Sequence, residues 1–220
     1  MKVAILGATG FVGAPILAEA SRYPDLAVTA IARDISKLPQ DAGIEAVSCD
    51  IYDGDALARV LQRHDVVIHA YHPGRAVATS DDVYEQSVAG HKVIIAAVRQ
   101  AGLPRLLCVG GAASLKAAEG KEFIDSSRWN PEFDPYKPAI LGTRALYYLL
   151  KDEKDFDWVF LAPSEWLRPG ERTGVFRYGK DELLIDAEGK SSISLEDYAL
   201  AMIEELRHPR HHRERFTVGY

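Results

Sequence analysis

Cysteine is scarce in this chain of 220 residues: Cys49 and Cys108 are its only two, with no more than two methionines and three tryptophans beside them. The cysteines lie in separate apolar runs, EAVSC and LLCVG, with no CxxC pair and no histidine at ligand spacing. A disulfide scaffold or cysteine-based metal site is therefore not expected, and both read as buried structural thiols. An excess of positive charge is missing as well, since 26 Lys and Arg face 32 Asp and Glu for a formal net charge of -6. The basic face that nucleic acid requires is absent, so no nucleic-acid partner is expected. No apolar run approaches the ~20 residues of a membrane span, and the first residues enter a strand rather than a secretory leader. The chain is thus expected to be cytoplasmic, without a membrane partner. Repeats, low-complexity tracts and linkers are also lacking, which leaves one domain over 1–220, with 165–195 as a small lobe on the substrate side.

What is present begins with glycine. Lys2 to Leu6 is a short apolar run, followed by Gly7, Gly10 and Gly13 in GATGFVG. A buried strand, a glycine-rich turn and a helix start read together as a pyrophosphate cradle. The first glycine permits the bend, the second admits the phosphates and the third lets helix and strand pack closely. Free N–H groups and the positive end of the helix dipole then face the anion. Gly7, Thr9, Gly10, Phe11, Val12 and Gly13 are the candidate cofactor-binding residues of this turn. Phe11 to Arg22 carries apolar residues at helical spacing, and Leu26 to Ala32 reads as the second strand, which completes one βαβ unit.

At the end of that second strand, an NAD-preferring site places an acidic residue to hold the ribose 2′-hydroxyl. This chain has Arg33, whose guanidinium suits a 2′-phosphate, and Lys37 lies one helical turn on. The expected cofactor is NADP(H), with NAD(H) the alternative. Ile44 to Ser48 is a third strand; Asp50 after it is either an acceptor for the adenine amino group or a helix-initiating turn residue, and Ile51 adjoins it. Asp65 to His69 is the fourth strand. Ligands of open α/β sheets bind at the carboxyl ends of strands, so Ala70, Tyr71 and His72 should border the cofactor.

Ser80, Asp81 and Asp82 read as the cap of a long helix to about Ala101. Arg105 to Val109 is a fifth strand, and its exit from Gly110 to Ser114 faces the nicotinamide by the same rule. Leu115 to Pro135 has little periodicity and is expected to wall the substrate site. A helix follows from Tyr136 to about Asp152, then a sixth strand from Asp157 to Ala162, with Pro163 at its carboxyl end as a further cofactor contact. Gly174 to Tyr178 and Glu182 to Asp186 read as a hairpin around Gly179. Ser194 to Asp197 reads as a capping box for a helix to about Leu206, and Phe216 to Val218 as a last strand. His208, His211 and His212 sit among four arginines, which would repel a metal cation; a solvated basic turn is expected, and no metal site.

GATGFVG, ARD at Ala32 to Asp34, VGGAAS at Val109 to Ser114, and the run from Pro169 to Ala199 resemble atypical short-chain dehydrogenase/reductases. Within that group the chain is similar to NAD(P)-binding proteins described as NADH-flavin reductases, relatives of biliverdin reductase B. The resemblance covers nearly the whole chain. It implies an α/β fold, a Rossmann-like doubly wound parallel sheet with a small C-terminal lobe, and a bound nicotinamide dinucleotide.

A typical member of the wider family uses Ser, Tyr and a Lys four residues after the Tyr, one helical turn apart. Here Tyr136 is followed at that spacing by Ile140, and the matching pair Tyr147 and Lys151 falls at the wrong end of its helix. Flavin or quinone reduction asks for less, because hydride passes between stacked rings and the proton can come from water. Ser114 and Tyr136 are the candidate catalytic residues, Ser114 as a hydroxyl beside the nicotinamide or as a turn hydroxyl, Tyr136 as a pocket residue or proton donor or as helix-start packing. The expected function is an NAD(P)H-dependent oxidoreductase with a small-molecule acceptor, a flavin, quinone or similar stacked ring. A dinucleotide-sensing regulator without turnover, or a sugar epimerase or dehydratase, are the alternatives; oligomeric state is not legible.

The Arg33 assignment is testable by titration calorimetry. NADPH should bind more tightly than NADH, and Arg33→Ala should weaken NADPH roughly 10- to 100-fold, as expected for hydrogen bonds to a charged group, with NADH held as before. Equal affinity for both dinucleotides, unchanged in the variant, would refute it.

Overall fold

In the computed structural model, which describes residues 1–39, 43–74, 79–80 and 82–220, strand β1 (Lys2–Leu6) divides its side chains between two cores. Val3 and Ile5 enter one, Ala4 and Leu6 the other, and all four are fully buried. The period-2 alternation of a strand makes this unavoidable once both faces are covered, which is why the segment reads as a continuous apolar run. β1 is hydrogen-bonded in parallel to β2 (Ala27–Ala32) and to β4 (Val66–His69), and β2 to β3 (Ile44–Ser48). On the other side, β4 pairs with β5 (Arg105–Val109), β5 with β6 (Asp157–Ala162), and β6 with the last strand, β10 (Glu214–Gly219), all in parallel.

The full order is 3-2-1-4-5-6-10-8, and β8 (Arg177–Gly179) is the one antiparallel member among the described strands. This is a Rossmann-like doubly wound sheet, as expected. Its chain reversal lies between β1 and β4, where the two halves diverge and a crevice opens at the carboxyl ends. Helices α1 (Gly13–Ala20) and α5 (Leu195–Arg207) bring Ile16, Leu17, Tyr198 and Met202 to one face. Helices α2 (Gly54–Leu61), α3 (Val83–Gln100) and α4 (Lys137–Lys151) bring Leu57, Ile94, Val98 and Leu146 to the other. Both cysteines are buried and unpaired. Among the described residues no helix is long and apolar enough to cross a membrane.

The C-terminal part departs from the sequence reading. The segment 174–178 does not pair with 182–186. Instead Arg177 to Gly179 pairs with Val218 and its neighbours on β10, while β7 (Trp166–Arg168) pairs in parallel with β9 (Ser192–Ser194). Both pairings join segments distant in sequence, which local turn chemistry cannot announce. The histidine-rich turn is also not simply solvated. His211 Nδ1 lies 2.8 Å from Glu205 and His212 Nδ1 2.8 Å from Asp157, and Arg105 binds both acids, at 2.7 and 2.5 Å. At α3, Asp82 is the N-terminal cap residue but its carboxylate takes the side chains of Ser80 and Gln86 rather than a backbone N–H; Asp81 lies outside the described residues.

Ser194 caps α5 by accepting the Asp197 N–H at 3.0 Å, half of the expected capping box. The other half is redirected. The fully buried Asp197 carboxylate accepts from the Thr173 hydroxyl (2.6 Å), the Gly174 N–H (2.8 Å) and the Tyr220 hydroxyl (2.8 Å). Burial opposes its ionisation, but these donors outweigh it and hold the pKa below the ordinary value. A bidentate Arg172–Glu19 pair, both bonds 2.8 Å, ties the same loop to α1. Asp197→Ala leaves three donors without their acceptor, so urea denaturation should show a loss of about 2–4 kcal/mol.

Candidate functional site

The turn after β1 is built by backbone contact. Gly7 has φ of +75°, its N–H donates to the Ile31 carbonyl at 3.1 Å, and its own carbonyl accepts the Gly10 N–H at 2.9 Å. A side chain on Gly7 would come within 2.5 Å of the Ala70 carbonyl oxygen, and one on Gly13 would overlap the Gly7 carbonyl. The glycines therefore let α1 start directly on β1 and let the β4 exit lie against the turn. The helix begins at Val12 without a side-chain cap and without an acidic residue in its first turn. Its N-terminal end stays electropositive and open to an anion, so the residues present fit a dinucleotide pyrophosphate.

The other residues expected at the cofactor ring this turn. Thr9 is exposed, Phe11 is 40% exposed, and Val12 is half-buried. Arg33 is exposed just past β2 and makes no ion pair among the described residues, whereas Lys37 is 3.6 Å from Asp34, itself the cap of the short turn 35–37. Asp50 acts as a turn residue, its Oδ1 accepting the Tyr52 N–H at 3.1 Å, and Ile51 is buried beneath it. Ala70 continues the β1–β4 ladder through its N–H to Leu6. Tyr71 is half-buried, and His72 faces solvent with Nδ1 accepting the Gly74 N–H at 3.0 Å.

Beside this turn, at the carboxyl ends of β5 and β6, lies an open cleft of about 160 Å³. Its floor is Gly110 to Ala113 on one side and Pro163 to Glu165 on the other. The buried Tyr198 hydroxyl holds the two strand exits in place, donating to the Leu161 carbonyl at 2.7 Å and accepting the Gly110 N–H at 3.4 Å. One wall comes from the irregular segment expected to supply it. Phe123, Trp129 and Phe133 run in a row, ring centroids 5.4 and 5.6 Å apart, and Trp166 continues it at 4.7 Å. Ile140 and Thr143 of α4 close the opposite side, one helical turn apart. Glu165 is the one carboxylate in the lining; it is almost fully buried and 3.2 Å from Arg128.

Neither candidate catalytic residue lines this cleft. Ser114 is buried under the loop, 1% exposed, its carbonyl taken by the Arg215 guanidinium and its hydroxyl without a partner among the described residues. Tyr136 stands exposed at the start of α4. Tyr147 packs instead against Phe160 and under Arg215, with Lys151 5.8 Å above its ring, and burial raises its pKa, opposite to what a proton-donating tyrosine requires. The Ile140/Thr143 wall was missed from sequence, although the i, i+3 spacing was its signal.

Two histidines also escaped the sequence reading. His69 at the end of β4 and His91 on α3 are 1% and 3% exposed, with His69 Nε2 3.0 Å from His91 Nδ1. Desolvation dominates both, driving His69 well below the ordinary histidine value and His91 to about 4. The unfolded chain takes up these protons near pH 6.5 and the folded chain does not, so stability falls as pH drops below 6.5 and continues to fall towards about 4. Urea denaturation between about pH 7.5 and pH 5 should show a loss approaching ~1.4 kcal/mol per pH unit for each fully buried histidine, reduced in His91→Asn. A slope that is the same in both proteins would contradict this.

The family model that matches the chain describes NAD(P)H-binding proteins and aligns with residues 7–209. The uncharacterized Bacillus subtilis protein YwnB is 35% identical over 222 aligned residues, 99% of this chain and 98% of that one. A solved structure of a candidate epimerase from Bacteroides thetaiotaomicron is 38% identical, with a TM-score of 0.89 over 100% of this chain and 96% of the other. A candidate NADH-flavin reductase from Streptococcus pneumoniae is 26% identical, with a TM-score of 0.83 over 100% and 99% of the two chains.

Proposed function

The chain belongs to the NAD(P)H-binding family, and we propose that it is an NAD(P)H-dependent reductase of a flat aromatic acceptor such as a flavin or quinone. The observation that carries this reading is the aromatic row beside the strand exits, in a cleft whose lining, among the described residues, includes no tyrosine and no lysine. When bound, the nicotinamide supplies the hydride; the chain has to bind, orient and keep out water. Trp129 and Phe133, both half-buried, offer apolar ring faces against which a planar acceptor stacks, and the buried Phe123 ring backs Trp129. Gly110 lets β5 lie close on β6, since a side chain there would meet the buried Phe160 ring and, at 2.7 Å, the Leu161 carbonyl, and Gly111 leaves room towards Thr143. Epimerase or dehydratase chemistry calls for a proton donor of lowered pKa next to the reacting carbon, and among the described residues the lining supplies Thr143, Ser164, Glu165 and the Trp129 indole N–H, which is taken by Asp134. Ser164 is already committed, its hydroxyl donating to the Val218 carbonyl at 3.0 Å. The preference for NADPH over NADH rests on Arg33, exposed just past β2 and in no ion pair among the described residues.

Following NADPH and NADH oxidation with FMN, FAD, riboflavin and a quinone panel tests the reading. Saturable turnover supports it, and tight dinucleotide binding with no turnover supports a sensor instead. Trp129→Ala and Phe133→Ala should each raise the acceptor KM roughly tenfold, the scale of one lost aromatic stack with its burial, and leave the dinucleotide Kd unchanged.

A further inference from the structure

We infer that His69 and His91 are positioning residues for the dinucleotide, a hydrogen-bonded pair that sets the loop from Ala70 to Gly74 against the glycine turn. The inference rests on the reading that this turn holds a nicotinamide dinucleotide. Its starting point is a backbone N–H. The Tyr71 N–H donates to His69 Nδ1 at 3.3 Å, and an amide N–H can only donate, so His69 Nδ1 carries no proton. The single proton of a neutral His69 is then on Nε2, which lies 3.0 Å from His91 Nδ1. His91 Nδ1 must accept, and its own proton sits on Nε2, an atom with no hydrogen-bond partner among the described residues.

The chain of donors therefore runs one way, from Tyr71 through His69 to His91. A second proton on His69 would set an N–H against the Tyr71 N–H, and one on His91 would set it against the His69 Nε2–H. Both rings are buried in contact, centroids 5.1 Å apart, and the backbone of Gly142 on α4 lies close enough to His91 to favour its protonated form slightly, against the dominant desolvation.

What the pair positions lies directly on the cradle. The same Tyr71 nitrogen that His69 fixes is 3.0 Å from where a side chain on Gly7 would be, and the Ala70 carbonyl is 2.5 Å from it. The loop is held from its other side by the Tyr71 ring, which covers Gly90 so closely that a side chain there would overlap it. The Tyr71 and Tyr52 hydroxyls are 2.9 Å apart, and Tyr52 donates onward to the Gln86 carbonyl at 3.0 Å. His91, next to Gly90, thus joins α3 to the β4 exit at the point where that exit touches the first glycine.

The test compares wild type with His91→Asn, His91→Gln and His91→Leu. The Asn oxygen takes the place of Nδ1 and can accept from His69, whereas Gln reaches the Nε2 position and Leu accepts nothing. Dinucleotide Kd is measured by calorimetry, fold by urea denaturation, and the proton positions by long-range proton–nitrogen NMR. The expected result is an Nε2–H tautomer on both rings, a Kd within about twofold of wild type for Asn, and a roughly tenfold weakening for Gln and Leu, the scale of one buried hydrogen bond. If Leu does not fold, the Gln variant and the tautomers decide. A proton on Nδ1 of either ring, or Gln and Leu variants that lose stability yet bind as wild type does, overturns the inference alone. A wild-type chain that binds neither NADPH nor NADH overturns the cofactor reading and this inference with it.

Discussion

The structure depends on one close approach, backbone against backbone, where α1 begins on the end of β1. Gly13 lies so near the Gly7 carbonyl that no side chain fits between them, and Gly7 in turn admits the Ala70 carbonyl. Because these contacts are between main-chain atoms, they cannot relax by a rotamer change, and they set the distance between the first strand, the first helix and the β4 exit together. An uncapped helix start results, aimed into the crevice of the sheet. A larger residue at either glycine would push the helix off the strand and blunt that end.

From this fixed corner the site is assembled by groups that work at long sequence range. The β5 and β6 exits are joined by the Gly110 N–H to the Leu161 carbonyl at 2.8 Å, and the Tyr198 hydroxyl on α5, almost ninety residues beyond Gly110, reinforces that bond from below. Asp197, its neighbour, gathers the loop at Thr173 and the C-terminal Tyr220, and Arg172 fastens that loop to Glu19 of α1. Successive residues on one helix thus serve two sides of the molecule. The segment around Thr173 is in this way tied to the last turn of α1 and to α5 by buried or half-buried polar contacts.

The parts legible in the sequence are those governed by local rules. The central strands β1, β2, β4, β5 and β6 were readable because burial on both faces makes them near-uniformly apolar, the edge strand β3 (IEAVS) by its alternation, and the long helices by their 3.6 period. The glycine turn was readable because only glycine permits its contacts. That Ser114 and Tyr136 stand outside the cleft lining was not legible, because spacing along the chain says nothing about which way a loop turns: Arg215, on a strand a hundred residues away, takes the Ser114 carbonyl. The expected hairpin around Gly179 failed for a related reason, since an extended segment pairs with whichever edge is free, and here that edge was β10.

Sequence by itself determined the doubly wound fold, the anion-facing turn, the arginine where an acid would hold a ribose, and the lack of a lysine one turn after Tyr136. Those features are carried by residue type and short spacing, which survive without knowledge of the partners. Tertiary structure alone decided that four aromatic rings from two segments form one row, that Glu165 is buried beside Arg128, and that His69 meets His91. Each of those requires side chains far apart in the chain to share a small volume, and which ones do is set by how the helices pack on the sheet.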